Sequence, residues 1–295
     1  MMSAVVAFLV SLLSLLASAP AMAQLSLPLS TNHIRVLYAQ PTDAKHRPIY
    51  EALQERRVLE TLRSMLNPLR LPRELTLELK SCGGTVDAYY WEATATVCYE
   101  YVELIEQHAP KVGTPGGLTR ADSIVGAVVD TFLHEAGHAV FDLLEVPVFG
   151  REEDAADFFS AYVLLKFAPE DSARLFQGVG FMMASEAKAA LEKPQNLRAF
   201  AGPHGTAAQR YYNLLCMAYG SDPKTFADAV SKGGLPMERA DSCGEEFAML
   251  ERAFRKLIVP YIDEELLAKA RAEVRFNWGP LITSTSGLDA LPLAE

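Results

Sequence analysis

Cationic side chains are scarce in this sequence: 27 lysines and arginines stand against 37 aspartates and glutamates, a formal net charge of −10. That balance argues against nucleic acid as a partner, because phosphate binding needs a basic face. Cysteine is scarce too, with four, at 82, 98, 216 and 243, and no Cys-x-x-Cys pair, which argues against a cysteine zinc site. No apolar run reaches the roughly 20 residues that span a bilayer. The run from Ala4 to Ala19 has 16 and ends in Pro20-Ala21-Met22-Ala23. This small-x-small ending predicts a signal peptide over 1–23 with cleavage before Gln24, a retained anchor being the competing reading. Neither an internal repeat nor a low-complexity tract occurs, so the remaining chain is expected to fold around an ordinary core.

What is present is a chain of ordinary globular composition, expected to be exported. An even cysteine count in such a chain predicts disulfides. Cys82 with Cys98 and Cys216 with Cys243 are the expected pairs, since each closes a short local segment and would stabilise by about 3 kcal/mol. The segment at 33–40 reads as a strand and 48–65 as a helix buried through Ile49, Leu53, Val58, Leu59, Leu62 and Leu66. Alternation predicts a strand at 75–80 and a hairpin over 87–101 that turns at Glu92-Ala93-Thr94. After the Gly- and Pro-rich loop 110–117, helices are expected at 122–145, 152–168, 170–192, 206–220, 222–232 and 238–257. The fold class is α+β, with one domain over 24–270 and a loosely structured tail over 271–295.

The chemistry is concentrated in the 122–145 helix. His134-Glu135-Ala136-Gly137-His138 places two imidazoles one turn apart on the same face, where both can reach one metal ion. Glu135 lies one residue round, placed to act as general base beside a metal-held water, not as a ligand. Ile124, Val125, Val128, Phe132, Leu133, Val140, Leu143 and Leu144 make the helix a buried one, where unpaired polar groups are expensive. The competing expectation is two core histidines hydrogen-bonded to Asp130 and Asp142, which share their stripe.

Downstream, Glu153 and Asp157 also stand one turn apart. The pair resembles the Glu-x-x-Ala-Asp element of gluzincin metallopeptidases such as the thermolysin-like enzymes. That resemblance implies a zincin-like fold, Glu153 as the third zinc ligand and Asp157 holding a ligand histidine through its other ring nitrogen. Glu152 and Asp154, about 100° to either side, are the fallback ligands. No third histidine follows at the metzincin spacing. From about His33 to Pro260 the chain is also similar to an uncharacterised family of exported bacterial proteins, domain of unknown function 4344, named for a metallopeptidase motif. The similar blocks are CYEYVELI at 98–105, HEAGHAVFDLLEVPVFGREEDAADFFSAYVLL at 134–165 and QRYYNLLCMAYGSDP at 209–223.

For stabilising an oxyanion, His204, Arg210, Tyr211 and Tyr212 are the candidates, with His204 taken as catalytic because it sits in the loop Gly202-Pro203-His204-Gly205. His33, His46 and His108 lack partner spacing and are assigned no function. The hairpin could line a cleft and pair with an extended peptide, although Tyr89, Tyr90, Trp91, Tyr99 and Tyr101 serve sheet packing equally well. The expectation is an exported zinc metallopeptidase acting on peptide or protein. The alternative is an exported binding or assembly protein with a structural zinc site. Hydrolysis of a non-peptide amide also stays open.

Overall fold

The protein is described by a computed structural model over residues 34–111, 113–114, 117–167, 171–193 and 197–277. The expected signal segment, His33 and residues 278–295 lie outside the described residues. Strand β1 (Ile34–Tyr38) leads into helices α1 (Arg47–Glu55) and α2 (Val58–Leu66). The sequence pattern suggests one helix here. Continuing the stripe past Leu53 would carry Arg56 and Arg57 into the core. The chain breaks instead at Arg57, whose φ is 55°, and α2 restarts in a new phase with Val58, Leu59, Leu62, Met65 and Leu66 buried.

Strands β2 (Leu75–Lys80), β3 (Ala88–Trp91) and β4 (Thr94–Cys98) complete a four-stranded sheet of order β1-β2-β4-β3. The β1–β2 and β2–β4 pairs are parallel and β3 runs antiparallel to β4, so β3 is an edge. The hairpin turn falls at Glu92 and Ala93, both with positive φ, as two-residue hairpin turns demand. Beyond Cys98 the structure departs from the expected strand: α3 (Tyr99–His108) begins at once. Buried Val102 and Ile105 repeat at helical spacing after Tyr99, a signal masked by the tyrosines that prolong the strand's alternation.

Six of the remaining helices are α4 (Arg120–Leu143), α5 (Glu152–Phe167), α6 (Ser172–Leu191), α7 (Ala207–Ser221), α8 (Asp228–Ser231) and α9 (Met237–Leu257). A further one, α10 (Glu264–Glu273), was not expected, and after it Val274 and Phe276 are buried. The first residues of the expected loose tail are therefore packed against the body. Helix α4 starts with a capping box between Thr119 and Asp122 and packs against β3, β4, α5 and α6. Where it crosses α6, Gly126 meets Gly178, and a Cβ on Gly126 would come within 3.1 Å of the Gly178 Cα. Both expected disulfides form: Cys82–Cys98 ties the end of β2 to β4, and Cys216–Cys243 ties α7 to α9. Glu100 reinforces the first by accepting the N–H groups of Cys82 at 3.0 Å and Gly84 at 2.9 Å. Among the described residues no helix is long and apolar enough to cross a membrane.

Candidate metal centre

Three elements bring the site together. Helix α4 presents His134 and His138 one turn apart, and Gly137 between them lets α5 come close. A Cβ at Gly137 would sit 3.2 Å from the Cα of Ala156 and 3.3 Å from the Phe159 ring. The chain reverses between the helices with Glu145 at φ 51° and Gly150 at φ 97°, so the first turn of α5 faces the histidines. The third element is the loop before α7, which carries His204.

The donor atoms converge. His134 Nε2 lies 3.1 Å from Glu153 Oε2 and 3.3 Å from His138 Nε2, and His138 Nε2 lies 3.3 Å from the same carboxylate oxygen. His204 Nε2 approaches that oxygen to 2.8 Å, and its ring stacks on His134 with centroids 5.9 Å apart. His134, Glu153 and His204 each offer an atom within 4.8 Å of the others, a set that could hold a metal ion. Behind them, His134 Nδ1 meets Asp157 Oδ1 at 2.8 Å and His138 Nδ1 meets Glu152 Oε1 at 2.7 Å. A carboxylate can only accept, so each Nδ1 carries the hydrogen and each Nε2 of the neutral rings turns a lone pair toward the centre.

The donor chemistry fits a divalent cation. Two imidazole lone pairs and a carboxylate oxygen about 3 Å apart repel one another unless something positive lies between them. The electrostatics agree. Burial alone would lower the pKa of His134, but the hydrogen bonds of Asp157 and Glu153 overcome it and raise it to about 9. Glu153 is held down to about 2, chiefly by His134. A pocket that binds a proton this firmly in the metal-free protein is built to attract positive charge, and a metal ion competes with that proton for the same lone pair. Asp157 is held far below the usual carboxylate range despite its burial, because Arg210 donates to it from Nε at 2.8 Å and from a terminal nitrogen at 2.7 Å. Glu135 is raised by desolvation. It lines both an inner cavity and an open groove that runs beside Ala88, Tyr89 and Tyr90 of β3.

A protein-family model described as "Putative metallopeptidase", domain of unknown function 4344, matches residues 38–258. The chain belongs to this family. Compared with curated proteins and with solved structures, it has no significant match in either. As a family member the chain carries a group able to hold a metal, with a peptidase's type of substrate implied.

His134 and His138 are not paired as core histidines would be. Asp130 accepts from Ser160 Oγ at 2.6 Å, and Asp142 accepts from the Tyr90 hydroxyl at 2.5 Å and from Arg73 at 3.4 Å. Neither aspartate is bonded to the histidines, whose partners come from α5. Asp154 pairs with Arg151, and Glu152 supports His138, a role its position in the sequence does not suggest. Of the expected oxyanion candidates, His204 reaches the site and Arg210 stands behind it on Asp157. Tyr211 is buried with its hydroxyl on the Gly233 carbonyl, and Tyr212 packs on Tyr211, so neither lines the groove. His46 is buried against Glu103 and Tyr99, and His108 lies at the end of α3, both away from the donor set.

Proposed function

We propose that this protein is an exported, zinc-dependent peptidase of gluzincin type, in which His134, His138 and Glu153 hold the ion. The observation that carries this reading is the convergence of two imidazole Nε2 atoms and one carboxylate oxygen, each imidazole fixed from behind by a carboxylate. Two nitrogens and one oxygen suit zinc, and catalytic zinc sites commonly use three protein ligands. When bound, the ion supplies Lewis acidity, lowering the pKa of water and polarising a carbonyl.

The chain's own residues do the rest. Glu135, desolvated and hence more basic than an exposed carboxylate, takes a proton from the attacking water and passes it to the departing amine nitrogen as the C–N bond breaks. Asp157 and Glu152 fix the two imidazoles in the tautomer that leaves Nε2 free. His204 is half exposed on its loop and donates to the oxyanion. The edge of β3 beside the groove would pair with an extended peptide. The two disulfides accord with an exported chain, the mature domain beginning at Gln24.

A second reading is favoured by His204, whose Nε2 lies as near the donor set as any ligand. Were it a permanent fourth ligand, the site would be closed and structural. The two separate cleanly. Glu135→Gln should keep its zinc, measured by elemental analysis, while cleavage of a degenerate peptide library falls by roughly 10² to 10⁴. Should the variant digest the library as fast as the wild type, the mechanism is wrong. His204→Ala should likewise keep zinc, whereas a closed four-ligand site would lose it.

A further inference from the structure

Two hollows meet at Glu135 and His204. One is the groove along β3. The other is a cavity of about 220 Å³ that runs inward between α3, α4 and α6. Ile105 of α3 and Val179 and Met183 of α6 give it apolar walls, and Tyr101, Asp130 and Glu186 give it polar ones.

Its charge is one-sided. Asp87, Asp130, Glu135 and Glu186 line it, against Arg210 within and His134 and His204 where it meets the groove. That guanidinium is already matched by two hydrogen bonds to Asp157. Asp130 has Ser160, and Glu135 belongs to the catalytic machinery. Glu186 is different: it accepts no hydrogen bond among the described residues, and burial raises its pKa, with Arg210 and His108 acting on it only at a distance. A half-buried carboxylate on a cavity wall, with no side-chain partner of its own among the described residues, is a natural counterpart for something positive. Lysine and arginine side chains supply such a partner, with an apolar stem that packs along walls like these and a charged end.

We propose that the cavity receives the basic side chain, lysine or arginine, of the residue beside the scissile bond. Glu186 pairs its cationic end, and Ile105, Val179 and Met183 pack its stem. This rests on the peptidase reading above and supplies what that reading lacks, a substrate class. The protein's net charge of −10 also favours approach of cationic peptides.

Two measurements test it. In the first, the zinc-loaded protein digests a degenerate peptide library. Lysine and arginine should exceed methionine and norleucine at one position flanking the cut by at least tenfold, and Glu186→Gln should lower that ratio at least tenfold. In the second, which needs no turnover, binding of n-butylguanidinium is compared with that of its neutral isostere N-butylurea by NMR titration. The cation should bind the wild type at least tenfold more tightly, and Glu186→Gln should abolish the difference. If Glu186→Gln fails to fold, the wild-type comparison of the two ligands still decides. Cleavage without basic preference, or equal binding of the two ligands, overturns the proposal. Selective binding of the cation by a protein that cuts no peptide would leave the cation pocket standing and remove the peptidase reading instead.

Discussion

Replacing Asp157 by asparagine should weaken metal binding and folding together, by amounts that can be worked from its contacts. The carboxylate accepts His134 Nδ1 at 2.8 Å and two nitrogens of Arg210 at 2.7 and 2.8 Å. Asparagine keeps the shape but loses the charge, and its amide can present a donor to His134 Nδ1, favouring the tautomer that closes Nε2 to a metal. Outer hydrogen-bond partners of ligand histidines are typically worth 10- to 100-fold in metal affinity, so the zinc Kd should rise by about that factor, or roughly 1.4 to 2.8 kcal/mol. The second effect is on Arg210, which loses the partner of its partly buried ion pair. Breaking such a pair by removing one member typically costs about 3 to 5 kcal/mol. Asp130 still acts on the guanidinium and the pair is partly exposed, so about 3 kcal/mol or less is expected. Zinc affinity would be read by competition with a chromophoric chelator and stability by urea unfolding of the metal-free protein. Asp154→Asn, whose ion-pair partner among the described residues is Arg151, serves as the control and should change neither. If Asp157→Asn unfolds more easily yet binds zinc as tightly as the wild type, Asp157 is a structural partner of Arg210 alone, and the argument from tautomers fails.

Asp130 offers a pH test. Its burial lifts its pKa to about 6, above the roughly 3.9 of an unfolded aspartate, so the folded state binds the extra proton between those values. Stability therefore falls as pH rises from about 4 to 6, and by pH 7 the penalty is about 3 kcal/mol. Asp130→Asn should remove that slope in urea unfolding of the metal-free protein, and parallel curves for the two proteins would refute it. Elsewhere, Cys216→Ser with Cys243→Ser opens a link spanning 27 residues between α7 and α9 and should cost about 3.5 kcal/mol in the chain-entropy model. A change in urea midpoint equivalent to less than 1 kcal/mol would show that the helix pair does not need it.

Much of the site was readable because helical spacing fixes side-chain direction locally. His134 and His138 need only one turn of α4 to face one way, and Glu153 and Asp157 only one turn of α5. What the spacing leaves open is how the two helices meet. Gly137 against Ala156 sets that contact, and with it the pairing of Glu152 to His138, which no periodicity encodes. Arg210 and Glu186 stand on α7 and α6, far along the chain, and enter the site only through tertiary packing. The fold follows the same division. The strands and the long helices announce themselves by period, whereas α3 hides behind Tyr99 and Tyr101, which continue the alternation of β4. Helix α10 has too few apolar residues to mark itself, and it packs on α2 and α5, about 200 and 100 residues earlier.

The meeting of Gly126 with Gly178 carries a consequence for the width of the inner hollow. Two hydrogen atoms set the spacing of α4 and α6 there, and the inner hollow is the gap those same helices leave further along. A methyl group at either position would meet the facing backbone at 2.7 to 2.9 Å and push the helices apart beside Ala127 and Val179, which line that gap. The width of that hollow is thus set by two side chains that are absent.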